Sequence, residues 1–349
     1  MMNSPFGKYP TIFRTVILLC IIYIFFECCR LLFQSEVTLL PQSKIQSEDP
    51  TITLDLQIKN RSSLYPISSY YRHATSVRNS SHPFISGDTI RAFADYIYDE
   101  IRQDDLKSVK YGDIIFIKGD KLSIFFDQTF SSIPQPFVLI SHNSDVSVPL
   151  EHQQYLSNPK IIMWYASNPS HKNLEKLIPI PIGLANARWK QGNLDNINYA
   201  LRNHRKSWSQ RTSLFYVNFS PNSNRAHRDK AFHQATTIPQ AQIIKDRISF
   251  QTYLEHIGNT KFVLSPPGNG LDCHRTWESL LMGAVPIVLT SELDPLFSKT
   301  RSVIVNSWSD TLSSQSTGVK DSRYTEQTCQ KLGIPLLPND KALELGEYM

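Results

Sequence analysis

No Cys-x-x-Cys pair, His-Glu-x-x-His motif or Cys/His cluster occurs in the 349 residues, which argues against a structural zinc site. Cysteine is scarce: Cys20, Cys28 and Cys29 lie in or beside an N-terminal apolar run, and only Cys273 and Cys329 lie outside it. One pair of cysteines permits a disulfide in an oxidising compartment but is no framework. There is no Walker A signature, so a P-loop phosphate site is excluded. No Lys/Arg block longer than a few residues appears, and the formal net charge is only +5, so a nucleic-acid footprint is missing. Small anionic ligands are not excluded by that charge. After residue 33 no second long apolar stretch follows.

What is present begins at the N-terminus. Val16 to Phe26 is uninterrupted apolar, and the stretch extends from Ile12 to Phe33 with Arg14, Glu27 and Arg30 towards its ends. About 20 residues at 1.5 Å rise span a bilayer core. A cleaved signal peptide shares the basic start and apolar core, but it ends in small residues. Here the core runs into Phe25, Phe26, Glu27 and Cys28, and an uncleaved anchor is the expectation. Lys8 and Arg14 precede the core, which places residues 1–11 in the cytosol and the bulk of the chain in the lumen, as a type II protein. The sequons at Asn60, Asn79 and Asn218 are compatible with that address.

Residues 34–88 are rich in Ser, Gln, Asn and Pro and read as a stem, with 65–88 also readable as an irregular start of the globular part. Short apolar runs then alternate with helical spacing. Strands are expected at 113–118, 137–141 and 160–166, with helices at 92–101, 122–130, 151–156 and 171–177. A polar segment, 186–210, reads as a connection. Beyond it, strands are expected at 214–219, 241–244, 261–265, 285–290 and 302–306, with helices at 225–235, 250–257 and 274–282. That alternation predicts an α/β protein with two parallel-sheet, Rossmann-like domains, 89–205 and 206–310, facing a cleft. Ligands in open α/β sheets sit outside the carboxyl ends of the strands. The tail, 311–349, shows no clear period.

Phe262 to Val288 reads as strand, Gly-rich loop, helix, tight turn, strand. Gly268 and Gly270 let backbone approach a ligand closely. The helix start after them offers unpaired N–H groups to a diphosphate, and Asp272 is placed to cap it. Arg275 adds a guanidinium fork, and Glu278, one turn on, can accept from ribose hydroxyls. A plain surface pair between Arg275 and Glu278 is the bland alternative. The dinucleotide fingerprint fails, because Gly268-Asn-Gly270 is not followed by the third Gly or Ala.

The run KFVLSPPGNGLDCHRTWESLLMGAVPIV, 261–288, resembles the C-terminal signature of the exostosin-like glycosyltransferases. Fainter similarity runs through LISHNSD, KIIMWYASNP, LIPIPIGLAN and FYVNFSPNSNRAHR, covering most of 137–310. The resemblance implies a type II Golgi or endoplasmic-reticulum membrane enzyme of the GT-B arrangement. It implies inverting transfer from a UDP-sugar to a glycan or glycoprotein acceptor. It assigns Arg275 to the diphosphate, Glu278 to the ribose, and Arg225 or Arg228 to a further phosphate contact. No Asp-x-Asp triplet is present to hold a divalent ion, so Arg275 and the helix start are expected to neutralise the leaving group with neither metal nor cofactor. The general base is sought in the first domain, where His142 and Asp145 follow the strand 137–141, with Glu151 further on; Trp164, Tyr165 and Asn168 are candidates for the acceptor side or, for Trp164, the core. The chain departs from the family after about residue 310, where family members continue with helices. A luminal binding protein that keeps this fold without catalysis is the rival expectation.

Overall fold

The expected strands sort into two sheets whose connectivities differ. The computed structural model describes residues 78–309 apart from 172, 173 and 239. One sheet takes β1 (Tyr96–Tyr98), β2 (Ile114–Lys118), β3 (Phe137–His142), β4 (Ile161–Ala166) and β5 (Leu177–Pro179), all parallel and in sequence order. Right-handed crossovers that always step the same way put every connection on one face. The packing agrees. Phe125, Phe126 and Phe130, from the β2–β3 connection, join Ile115, Ile117, Phe137, Leu139 and Trp164 in one apolar cluster. Those phenylalanines sit on a helical stretch that opens as α2 (Leu122–Ile124) and continues as a π-turn.

The other sheet contains β6 (Ser213–Val217), β7 (Ala241–Ile243), β8 (Thr260–Leu264), β9 (Val285–Leu289) and β10 (Val303–Val305). Its spatial order is β10-β9-β8-β6-β7, again all parallel. The chain leaves β6 in one direction and returns from β7 past it to β8. By the same handedness, α4 (Arg225–Ala235) covers one face while α5 (Phe250–Gly258) and α6 (His274–Leu281) cover the other. Ala231 and Ala235 of α4 accordingly pack with Val217, Phe262, Leu264, Val285 and Ile287. Tyr253 of α5 lies against Tyr216 on the opposite face. Where connections switch faces, between β6 and β8, the carboxyl ends of the strands leave a crevice. The sequential first sheet has no such point.

The structure corrects several local expectations. The helix read over 92–101 ends early: α1 spans Gly87–Phe93, capped by Ser86, and Tyr96–Tyr98 leaves it to pair with β2. Asp95 helps enforce the break by accepting the Ile114 amide at 3.0 Å. Leu177 opens a strand beside Trp164 instead of closing a helix. The stretch 151–156 is a 3-10 turn, Leu150–Ser157. Residues 78–88 belong to the first lobe and not to a stem, since Arg78, Ser81, Phe84 and Ser86 are buried there. The polar connection contains α3 (Leu194–Asn203), which packs on α5. Asp294–Phe297 forms a short α7 before β10.

The described residues all fall within one compact unit. Among them no helix is long and apolar enough to cross a membrane. The expected tail 1–11, anchor 12–33, most of the stem and the C-terminal 311–349 lie outside the described residues.

Candidate functional site

The crevice between β6 and β8 is walled by the two segments that leave those strands. After β6 come Asn218, Phe219 and Ser220; after β8 comes the loop Pro266–Cys273, which leads into α6. Arg228 of α4 and Arg275 of α6 converge on the ring of Phe219, with guanidinium carbons 5.7 and 5.4 Å from its centroid. Backbone carbonyls hold both side chains. Arg228 donates from Nε to Pro267 O (2.9 Å) and from Nη1 to Ser220 O (2.8 Å), and Arg275 donates from Nε to Asn218 O (3.0 Å). Neither forms an ion pair with a carboxylate among the described residues. Burial, then the Arg275 charge, lowers the Arg228 pKa. Nη1 of Arg275 is buried and has no hydrogen-bond partner. Two cations gathered on one aromatic ring, one of them with a buried donor unspent, are the chemistry that suits an anion with two or more charges.

Glu278 lies one turn beyond Arg275 and is 6% exposed. Burial raises its pKa despite the opposing pull of His274, Tyr253 and Arg275. The Tyr253 hydroxyl lies beside this carboxyl yet makes no hydrogen bond of ordinary geometry. Acid and phenol therefore sit together, the phenol without a hydrogen-bond partner, and the acid one helical turn from Arg275. A ligand bearing a diol behind a diphosphate would meet both sets of groups.

The glycines of the loop act through close approach. A Cβ on Gly268 would lie 3.1 Å from Nη2 of Arg228, and a Cβ on Gly270 would lie 3.0 Å from both side-chain tips of Asn168. Asp272 does not cap α6 in the expected way: Cys273 occupies the cap position without a side-chain bond. Asp272 is instead a buried link. Its Oδ2 accepts Ile182 N and Trp277 Nε1, each at 2.8 Å, while Oδ1 accepts Cys273 N. His274 Nδ1 meets Gly183 O at 2.8 Å. These bonds tie the loop to the carboxyl edge of the first sheet.

That edge carries the residues sought as general base. His142 ends β3, is 2% exposed, and is occupied at both ring nitrogens. Nδ1 accepts Asn143 N (2.7 Å), so Nε2 carries the proton and donates to Pro181 O (3.0 Å). Burial depresses its pKa to about 4. The side chain is neutral and has no nitrogen to offer an incoming hydroxyl. Asp145 stands exposed three residues further on, beside a small depression lined by Gly119, His142, Ser144, Val148, Ser167 and Asn168. Trp164 is core, donating from Nε1 to Ser141 Oγ at 2.8 Å. Arg225 points away: it is exposed and bonds Asn222, which leaves Arg228 as the second cation of the crevice.

Sequence reasoning thus placed Gly268, Gly270, Arg228, Arg275 and Glu278 at one locality, and did not single out Phe219 and Tyr253. Phe219 had a usable signal, since it closes the expected strand 214–219, and ligands of open α/β sheets sit outside the carboxyl ends of strands. Tyr253 had none, because its contact with Glu278 depends on how α5 lies against α6. No family model matches the chain, and no curated protein matches it.

Proposed function

We propose that the chain is a glycosyltransferase of exostosin-like type that takes a UDP-sugar in the β6–β8 crevice. The observation that carries this reading is the pair Arg228 and Arg275, gathered on Phe219 with no carboxylate partner among the described residues and followed by Glu278. The guanidinium groups take the diphosphate and Glu278 takes the ribose hydroxyls. The acceptor hydroxyl attacks the anomeric carbon from the side opposite UDP, the bond to UDP breaks, and its electron pair leaves with the diphosphate. Asp145, exposed at the facing edge, receives the acceptor proton, and His142 shapes the loop that carries Asp145. Fixed cations at the point where charge develops stabilise that transition state without reorganisation, so the mechanism needs no metal. The two parallel sheets with facing carboxyl edges are compatible with a GT-B arrangement. The N-terminal apolar run supports a single-pass type II placement in the Golgi or endoplasmic-reticulum membrane, with a glycan or glycoprotein as acceptor.

Titration calorimetry with UDP tests the site. Arg275→Ala and Glu278→Ala each remove charge-assisted hydrogen bonds and should weaken binding by roughly 10- to 100-fold. Unchanged affinity in both variants would remove the assignment. Asp145→Asn should lower turnover at unchanged UDP affinity. The satisfied ring of His142 favours a second reading, a nucleotide-sugar-binding protein without catalysis. A chain that binds UDP yet turns over no UDP-sugar, even by hydrolysis, is that protein.

A further inference from the structure

The loop carrying Gly268 and Gly270 is held at its two ends by different lobes. At its start, Arg228 binds Pro267 O and Asn224 Nδ2 donates to Gly268 O at 2.9 Å, both from the second lobe. At its end the holder is Asn168, from the first lobe. Asn168 Oδ1 accepts Leu271 N (2.9 Å) and Asp272 N (3.2 Å), and its Nδ2 donates to Ser144 O (2.9 Å). Its backbone is fixed as well, since Val148 N donates to its carbonyl at 2.9 Å. The partners leave no ambiguity about the amide: two N–H donors demand oxygen on one side and a carbonyl demands NH2 on the other. The side chain is 1% exposed, so these bonds compete little with water.

We infer that Asn168 is a positioning residue that clamps the nucleotide-binding loop of one lobe to the Ser144 loop of the other. The inference rests on the nucleotide reading of the crevice. Asp272 and His274 hold the α6 start to Ile182 and Gly183 independently of Asn168. Removing the amide therefore loosens the glycine turn and leaves the two lobes joined. Asn168 also lines the depression beside Ser144, so the wall of the first-lobe site and the holder of the donor loop are one side chain.

The test uses the full-length chain, with residue-resolved hydrogen exchange at the Leu271 and Asp272 amides and calorimetry with UDP. Asn168→Ala should accelerate both exchanges and raise the UDP Kd about tenfold, the loss of one to two buried hydrogen bonds. Gly270→Ala, which intrudes on the same amide from the loop side, should act in the same direction and serves if Asn168→Ala does not fold. Acceleration together with weaker binding upholds the clamp. Exchange that does not change overturns it whatever the chain binds, and so does an unchanged Kd in both variants. Failure of the unaltered chain to bind UDP overturns the nucleotide reading instead, while faster exchange in the variants still upholds the clamp.

Discussion

Asp272 and His142 lie at opposite sides of the same junction and answer to acid in opposite directions. Asp272 is 4% exposed, and burial pushes its pKa from 3.8 up to about 6, against the pull of three donors and His274. The folded state binds a proton more readily than the unfolded one, so this residue's contribution is full below pH 3.8 and is lost as pH rises through about 6. His142 runs the other way. Its pKa falls from 6.5 to about 4, so its contribution is present above pH 6.5 and is lost as pH falls towards 4. Between roughly pH 4 and 6 the two slopes oppose each other. Urea denaturation at those two pH values should therefore show Asp272→Asn losing more stability on acidification than the unaltered chain. His142→Asn should lose less. Parallel pH profiles in all three proteins would mean that neither group changes its proton affinity on folding.

At the scale of elements, the turn between α6 and β9 depends on a glycine and a buried cation. Gly283 has φ of 75°, the left-handed conformation that ends a helix. A Cβ there would lie 2.6 Å from Nη2 of Arg211. Arg211 cannot yield easily, because its guanidinium donates to the carbonyls of Ile257, Thr260, Lys206 and Met282. It ties the ends of α5 and α6 to the base of β8. Gly283→Ala combines backbone strain with that contact and should cost about 1–3 kcal/mol in chemical denaturation; a loss below about 0.5 kcal/mol would show that the turn relaxes. The same elements show what could be read in advance. The helix 225–235 was legible from its Asn224 cap and breaker-free run, and the strand–loop–helix around Gly268 from an apolar strand, a Pro/Gly loop and an amphipathic helix in succession. The strands Tyr96–Tyr98 and Leu177–Pro179 were not, because their identity is conferred by the neighbouring strand. Arg211 directly follows the polar connection 186–210, and only the convergence of four carbonyls marks it as structural.

For the whole molecule, the question is whether two sheets of different topology behave as one body. The second sheet alone has a switch point, so sheet topology gives the crevice to that lobe, and among the described residues Asn168, Ile182 and Gly183 of the first lobe hydrogen-bond to its loop. These contacts are few, but they are at least partly buried and fall directly on the loop Gly268–Asp272 and the start of α6. A ligand that fixes the loop should therefore stabilise both lobes together. If the crevice takes UDP as proposed, a hundredfold excess over its Kd should add roughly 2.7 kcal/mol to the folded state and move Tm by about 5–10 °C for a fold of this size. Scanning calorimetry should show a single transition moving as a unit. Arg275→Ala, with binding weakened roughly 10- to 100-fold, should cut that gain to roughly 0.4–1.4 kcal/mol and leave the ligand-free Tm within a few degrees. Two transitions, with only one displaced by UDP, would mean that the junction does not transmit binding, and that the first lobe folds indifferent to what its neighbour holds.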